Sequence, residues 1–530
     1  MENAKILVAD PISPKGVDLL RAHPQFTVDV KTGLKEDALL PIIGEYDALI
    51  VRSQTKVNAK VIAAAKKLRV VGRAGVGVDN VDVDAATKRG IIVMNTPGGN
   101  TISTAEHTFS MMMALSRNIP QACASMKAGQ WDRKSFEGVE LFNKTLGVIG
   151  MGRIGGEVAR RAIAFGMRVL AFDPFLSLSR AKALQVEVVD LEQIYAQADY
   201  ITVHVPMTDQ TKGMINRTTI AKMKKGVRLI NCARGGIIHE GDLREAILAG
   251  HVAGAALDVY EVEPPPADWP LRALPQVILT PHLGASTHEA QESVGIEVAE
   301  QIAEVLAGGT IRNAVNMPSL DAKTLATLQP FLTFGEKMGR LVAQLAPGRI
   351  ERLVVEFCGK ATELETNPIT RSVLKGFLEA AEGSDVNYVN ALVFAEQLGI
   401  HVGEVKSTET TDYTELITVR AVAEQTTSVA GTFYGGLSIP RLVRINDTPV
   451  EAVPNGVLFI FQNRDRPGVV GWIGTIMGKH GINIAGMSLG RDAPGGKALT
   501  VLNLDSAPSA DVIAEIRADP DIMDVKVARL

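Results

Sequence analysis

The sequence predicts an α/β chain of several domains, built on doubly wound parallel sheets and closed by α+β units. Three observations carry this. Short β-branched runs alternate with helical patterns from Ala4 onward, the rhythm of parallel strands joined by crossover helices. The alternation starts afresh at KTLGVIG, and after about Asn316 it gives way to helical patterns followed by β-rich stretches. The 530 residues exceed what one core supports, since roughly 100–200 residues make a domain, so three or four domains are expected.

The elements follow in order. AKILVAD is a strand, Ser13 and Pro14 open a helix, and DALIVRS is the next clear strand. A helix is expected from Asn58 to Lys67, with an Asn cap, apolar Val61, Ile62 and Ala65, and basic Lys66 and Lys67 at its end. LRVVGRAG and IIVMNT are strands, and a helix carrying Phe109, Met111, Met112, Met113 and Leu115 follows. The second series adds YITVHV, VRLINCA and AGAALDV. EVEPPPADWP is a loop, because successive prolines fit neither a helix interior nor a central strand. A long helix is expected from about Thr287 to Leu306. LITVRAV, SVAGTFYGG and PRLVRIND mark an α+β unit, with Arg441 and Arg444 on a charged edge strand. The tail from Asn455 reads strand, helix, strand, strand, helix, strand, the ferredoxin-like split βαββαβ order.

Composition narrows the function. Lys+Arg 55 against Asp+Glu 59 leave a net charge of −4 with no basic run, which argues against nucleic acid as a partner. No stretch of about 18 apolar residues occurs, so no membrane span is expected. The N-terminus reads as strand and turn with no export signal, and Cys123, Cys232 and Cys358 lack disulfide or metal spacing. A cytoplasmic protein without a metal site is the expectation.

Gly150, Gly152 and Gly155 form GxGxxG directly after the strand TLGVIG and at a helix start, the context that makes the motif informative. Gly150 allows the tight turn, Gly152 lets backbone N–H groups approach a pyrophosphate, and Gly155 lets helix and strand pack closely. Asp173, eighteen residues past the last glycine, ends the next strand, where a carboxylate accepts from ribose hydroxyls. No Arg or Lys follows it in PFLSLS to neutralise a 2′-phosphate, so the cofactor is NAD rather than NADP. The fingerprint's late position requires a domain before it. The bland alternative is a tight βα turn with Asp173 as a loop cap.

Arg234 in INCARGG, Glu263 in LDVYEVEPP and His282 in TPHLGAST stand just beyond predicted strand ends, the rim where doubly wound sheets bind ligands. Singly, each reads as an ion-pair or loop residue; together they make a constellation.

With these segments in view the chain resembles the D-isomer-specific 2-hydroxyacid dehydrogenases over essentially its whole length. The resemblance rests on VGRAGVGVDNVD, GMGRIG, NCARGG, DVYEVEPP and PHLGAST. Within that family it looks like the long-form branch that acts on D-3-phosphoglycerate. The resemblance implies NAD-dependent oxidation of that substrate to 3-phosphohydroxypyruvate, the entry to serine synthesis. His282 would be general base, Glu263 its orienting carboxylate, and Arg234 the fork that holds the substrate carboxylate. Arg153, Ile154, Cys232, Ala233, Arg234, Asp258, His282 and Gly284 would join the glycines at the cofactor, with Cys232 read as a small buried thiol. Arg52 and Arg73 would take the phosphate, Asn100 would touch substrate, and Arg133 would reach a neighbouring subunit's site.

The resemblance also implies a Rossmann-like NAD domain (99–284) inserted in a flavodoxin-like substrate domain (1–98 and 285–315). An α+β intervening domain (316–453) and an ACT domain (454–530) would follow. In the last, NRDRPGVVGWIGTIMGKHGINI places Asn463, Asp465 and Asn483 where serine-sensing relatives bind L-serine between two copies. A homotetramer is the family expectation. Two alternatives stay open: a hydroxypyruvate, glyoxylate or other 2-hydroxyacid reductase, and an NAD-sensing co-repressor on the same fold.

Overall fold

The computed structural model describes residues 3–382, 386–409, 412–435 and 439–530, which form four sheets. The first is parallel and built from Ala4–Val8, Phe26–Val30, Ala48–Val51, Val70–Arg73 and Ile92–Asn95. Its order, 2-1-3-4-5 along the chain, is the flavodoxin-like winding. Its strands are near-continuous apolar runs because helices cover both faces. One cover comes from far along the chain: helix His288–Leu306, capped by Thr287, lays Val294, Val298, Ala299 and Ile302 against Ile6, Val8 and Ile50. The segment after it returns to the sheet edge, where Val315 N–H donates to Val93 O at 2.8 Å and Asn316 Oδ1 accepts from Val93 N–H at 3.0 Å.

The second sheet holds Thr145–Ile149, Arg168–Phe172, Glu187–Val188, Tyr200–Val203, Val227–Asn231, Val252–Leu257 and Val277–Leu279, all parallel. Counted from its own first strand the order is 7-6-5-4-1-2-3, a Rossmann winding with one strand added. The order reverses between Thr145–Ile149 and Tyr200–Val203, so the crevice opens beside the glycine turn. Helix Thr101–Ser116 begins at the first sheet's side and packs on the second sheet through Phe109, Met112 and Leu115.

Three expectations need correction. Asn58 caps its helix as foreseen, with Oδ1 accepting from Lys60 and Val61 N–H, but the helix is Ala59–Ala64 and stops short of Lys67. Burial of Ala65 and Leu68 turns the chain inward there, so Lys66 and Lys67 lie beyond the last turn. In the third unit, strand Arg352–Gly359 lies between helices Ala322–Leu345 and Thr366–Glu382 rather than after them. It pairs parallel with His401–Ser407 and antiparallel with Glu415–Val422 and buries Leu353, Val355 and Phe357. Ile439–Ile445, the strand of Arg441 and Arg444, is interior to this sheet, paired on both sides and bulged before Arg444.

The fourth sheet, Val457–Arg464, Ile484–Arg491, Lys497–Leu504 and Ile522–Arg529, has the βαββαβ order, with helices Val469–Lys479 and Ala510–Arg517 packed on one face. Leu458, Ile460, Leu499, Val501 and Ala528 on its other face share a core with Phe334, Met338 and Leu341 of the long helix. Among the described residues no helix is long and apolar enough to cross a membrane.

Candidate active site

A cavity of about 860 Å³ lies between the first two sheets, lined by Arg52, Arg73, Asp79, Asn100, Glu263 and His282 among others. Strand ends of both sheets feed it. His282 follows Val277–Leu279 by three residues and has φ of 55°, held there by its N–H, which donates to the carbonyls of Asp258 and Thr280 at 3.0 Å. Its Nδ1 stands 2.8 Å from Glu263 Oε2, and Glu263 Oε1 accepts from Tyr260 N–H at 3.1 Å. A carboxylate only accepts, so Nδ1 carries the proton and Nε2 is the basic atom.

The Glu263 hydrogen bond raises the His282 pKa above the ordinary imidazole value, with burial opposing and the Glu263 and Asp258 charges adding. Burial pushes Glu263 up, but its bonds to His282 and to Tyr260 N–H outweigh this and the net shift is down. The pair therefore favours imidazolium beside carboxylate.

Arg234 lies beyond strand Val227–Asn231, on a turn pinned by Asn231, whose Oδ1 accepts from Ala233 N–H and whose Nδ2 donates to Arg234 O. Its Nη1 donates to Ala233 O at 2.7 Å and its Nε sits 3.3 Å from Asp79 Oδ2. A Cβ on Gly77 would fall 2.0 Å from Nη2, so the glycine makes the space in which the guanidinium lies. Arg234 is adjacent to the cavity lining through Asp79.

Arg52 directly follows the strand Ala48–Val51 and Arg73 ends the strand Val70–Arg73 of the first sheet. The Nε atoms of both, and Oδ1 of Asn100, are buried without a hydrogen-bond partner in the protein. Burial lowers both guanidinium pKa values, and for Arg73, with Arg234 and Arg52 nearby, the value falls to about 10. Half-buried, mutually repelling cations with buried, unpaired Nε atoms are built to receive anionic oxygens. Arg133 lies in an exposed loop outside this cavity.

The glycine turn has the shape a pyrophosphate needs. Gly150 has φ of +98°, and a Cβ there would meet His204 O at 2.6 Å; one on Gly155 would meet Gly150 O at 2.0 Å. A Cβ on Gly152 would meet nothing within 4 Å, so the backbone before helix Arg153–Ala164 presents an open face where the helix dipole is positive. Asp173 follows its strand directly, and its carboxylate accepts from Met151 N–H at 2.7 Å and Phe175 N–H at 2.8 Å, tying it to the same turn. Arg153 is exposed beside it and Ile154 is half-buried. Cys232 is buried and its thiol is pushed up to about 12, chiefly by burial and then by Asp258, so it stays protonated. Asp258, fully buried, accepts from Leu283 and Gly284 N–H at 2.7 and 2.9 Å. These groups fit NAD.

Asp79 and Asp10 are among the residues that sequence reasoning did not single out. Asp79 sits in the GVGVDN loop, where a carboxylate after a glycine turn carries no distinctive signal. Asp10 is buried and binds Arg52 N–H at 2.6 Å and Thr55 Oγ1 at 2.6 Å, fixing the Arg52 loop. It stands just past the first strand as Asp173 stands just past a later one, and that similar position was the available clue.

In the fourth sheet Asn463 is buried, with Oδ1 accepting from Thr500 Oγ1 at 2.9 Å. Asp465 pairs with Arg491 at 2.8 Å, and Asn483 donates to Asp505 at 2.8 Å. They do not converge within one copy. Asn463 pairs with Ala498, while Ile484, next to Asn483, pairs with Leu504 at the other end of the same central strand.

Residues 109–284 match the D-isomer specific 2-hydroxyacid dehydrogenase NAD binding domain, 327–446 the D-3-phosphoglycerate dehydrogenase intervening domain, and 457–521 the ACT domain. D-3-phosphoglycerate dehydrogenase of Archaeoglobus fulgidus is 46% identical over 529 residues, covering 99% of this chain and all of the relative. That of Bacillus subtilis is 44% identical, covering 99% of each. Among solved structures, a Thermus thermophilus protein, TT0316, is 36% identical with TM-score 0.55 over 59% of this chain and 99% of its own. D-lactate dehydrogenase of Aquifex aeolicus, solved with NAD and lactic acid, is 28% identical with TM-score 0.53 over 59% of this chain and 100% of its own. With full-length relatives above 40% identity, the chain belongs to the D-3-phosphoglycerate dehydrogenases, within the D-isomer-specific 2-hydroxyacid dehydrogenase family.

Proposed function

We infer that the chain oxidises D-3-phosphoglycerate to 3-phosphohydroxypyruvate with NAD, the first step of L-serine biosynthesis. The observation that carries the phosphorylated substrate is the pair Arg52 and Arg73, whose buried Nε atoms lack protein acceptors, in the cavity that also holds His282. In this reading Arg234 grips the substrate carboxylate with the donors it has left, and Arg52 and Arg73 take the phosphate. Asn100 adds a polar contact at the cavity wall.

His282 Nε2 accepts the C2 hydroxyl proton as the C2 hydrogen leaves as hydride, and the same atom returns a proton in the reverse reduction. Bound NAD supplies the hydride acceptor at its nicotinamide ring. Glu263 stabilises the imidazolium that the oxidation creates. Gly150, Gly152 and Gly155, with Arg153, Ile154 and Asp173, hold the dinucleotide. Cys232, Ala233, Asp258 and Gly284 would join them in holding the cofactor.

The four-unit division given above, a cytoplasmic homotetramer with Arg133 reaching a neighbour's site, and L-serine as effector at Asn463, Asp465 and Asn483 complete the proposal. NADH formation from D-3-phosphoglycerate, set against D-glycerate and 2-hydroxyglutarate, tests the activity. Equal kcat/KM for phosphorylated and unphosphorylated acids would overturn the substrate assignment. Unchanged initial rates in millimolar L-serine at subsaturating substrate would overturn the effector.

A further inference from the structure

Helix Thr101–Ser116 starts beside the cavity at Asn100 and lays Thr104, His107 and Met111, spaced three and four residues apart on one face, against the segment that presents His282. Thr104 Oγ1 donates to Gly284 O at 3.2 Å. His107 Nε2 lies 3.2 Å from Asp258 Oδ1 and 3.1 Å from Thr280 Oγ1. Thr280 Oγ1 in turn stands 2.6 Å from Asp258 Oδ1. Asp258, as a carboxylate, only accepts, so the Thr280 proton points to it and the hydroxyl oxygen is left to accept from His107. Nε2 of His107 must then carry a proton shared between Thr280 and Asp258.

Asp258 is the hub that this proton secures. Its carboxylate collects Thr280 Oγ1, Leu283 N–H and Gly284 N–H, and its carbonyl accepts His282 N–H. His282 itself has φ of 55°, a left-handed conformation uncommon for a residue that carries a side chain, and the two bonds from its N–H hold it there. The turn is therefore set from behind, by Asp258, and Asp258 is set by the helix.

We propose that His107 is a positioning residue for hydroxyacid oxidation: its Nε2–H clamps Asp258 and Thr280, and these fix the turn that aims His282 into the cavity. This rests on the function inferred above. Arg52 and Arg73 stand on the other sheet and are untouched by the clamp, so its loss acts on the chemical step and not on substrate capture. Misplacing a reacting group by a fraction of an ångström to one ångström costs roughly ten- to a hundredfold in rate.

The test compares the full-length wild type with His107→Leu, His107→Gln and Thr280→Val, on whichever 2-hydroxyacid the wild type oxidises. His107→Leu is expected to lower kcat at least roughly tenfold with the hydroxyacid KM within about twofold. His107→Gln, whose amide N–H can reach the same two oxygens, is expected to recover kcat to within about threefold of wild type. Thr280→Val should reproduce the kcat loss, and it serves as the decisive variant where His107→Leu does not fold. The proposal is overturned if the variant read keeps kcat within twofold, if KM rises in place of the fall in kcat, or if Gln is as impaired as Leu. Failure of the wild type on D-3-phosphoglycerate alone would sink the substrate assignment and leave these ratios readable.

Discussion

At the scale of single residues, the cavity separates a phosphate end from a proton-transfer end. Arg52→Ala removes a half-buried cation whose buried Nε has no protein partner. A charge-assisted hydrogen bond contributes about 1.5–3 kcal/mol, so kcat/KM for D-3-phosphoglycerate should fall roughly ten- to a hundredfold while that for an unphosphorylated 2-hydroxyacid stays level. Parallel losses on both substrates would remove Arg52 from the phosphate subsite. His282 gives a pH signature. Oxidation needs its neutral form, so the oxidation rate climbs as pH passes upward through its pKa, and Glu263 holds that pKa up. Glu263→Gln removes the main raising influence, so the rising limb must move to lower pH while kcat on the plateau drops, because the imidazolium has lost its carboxylate. A limb that stays in place, or moves up, would contradict the pairing. The three site residues were legible because each stands three to six residues past a strand end, inside a motif of six to eight residues. Asp79, His107 and Asp10 were not, because their partners lie in segments distant along the chain and only folding brings them near.

Elements were legible where periodicity is strong and local. The glycine turn, the Thr287-capped helix and each single element of the βαββαβ tail carry their signal within about twenty residues or fewer. Strand Arg352–Gly359 did not stand out because helices flank it on both sides and its partners arrive about fifty and sixty residues later. The Asn58 helix was overextended because burial of Ala65 and Leu68, a tertiary demand, ends it. The turn itself offers a paired test of what each glycine does. Gly155→Ala drives a Cβ to 2.0 Å from Gly150 O, a backbone clash at a helix–strand contact. It should lower stability by about 1–3 kcal/mol and damage NAD binding with it. Gly152→Ala meets nothing in the protein and sits at φ of −65°, so the fold should melt within a degree or two of wild type. Its methyl instead occupies the approach to the helix N-terminus, and the NAD KM should rise roughly tenfold or more. Thermal melts of both variants beside NAD titrations decide it; a destabilised Gly152→Ala, or one with unchanged NAD KM, would refute the assignment of that open face to pyrophosphate.

At the scale of the whole molecule, the two halves of the proposed serine site sit at opposite ends of one sheet. Asn463 and Asp465 leave the top of strand Val457–Arg464, and Asn483 enters at the level of Val457, since both Val457 and Ile484 pair with Leu504. Six residues of strand at about 3.4 Å each put the halves roughly 20 Å apart, beyond the span of one serine. A complete site therefore needs the top of one copy against the bottom of another, which a two-fold axis supplies twice over, each copy giving its top to one site and its bottom to the other. The arrangement makes a prediction that a site within one copy cannot share. Asp465→Ala breaks the top half of every site in its own oligomer, and Asn483→Ala breaks the bottom half, so each variant alone should lose serine inhibition. In a hybrid of the two, one site receives both lesions and the other receives neither. Co-expressed variants, purified as a mixture and assayed at subsaturating substrate, should recover part of the inhibition, whereas the same two proteins purified separately and mixed without subunit exchange should recover none. Absence of recovery in verified hybrids would place the effector elsewhere. The sheet face opposite its helices shares a core with the long helix Ala322–Leu345, so a shift between paired copies has a packed route into the rest of the chain.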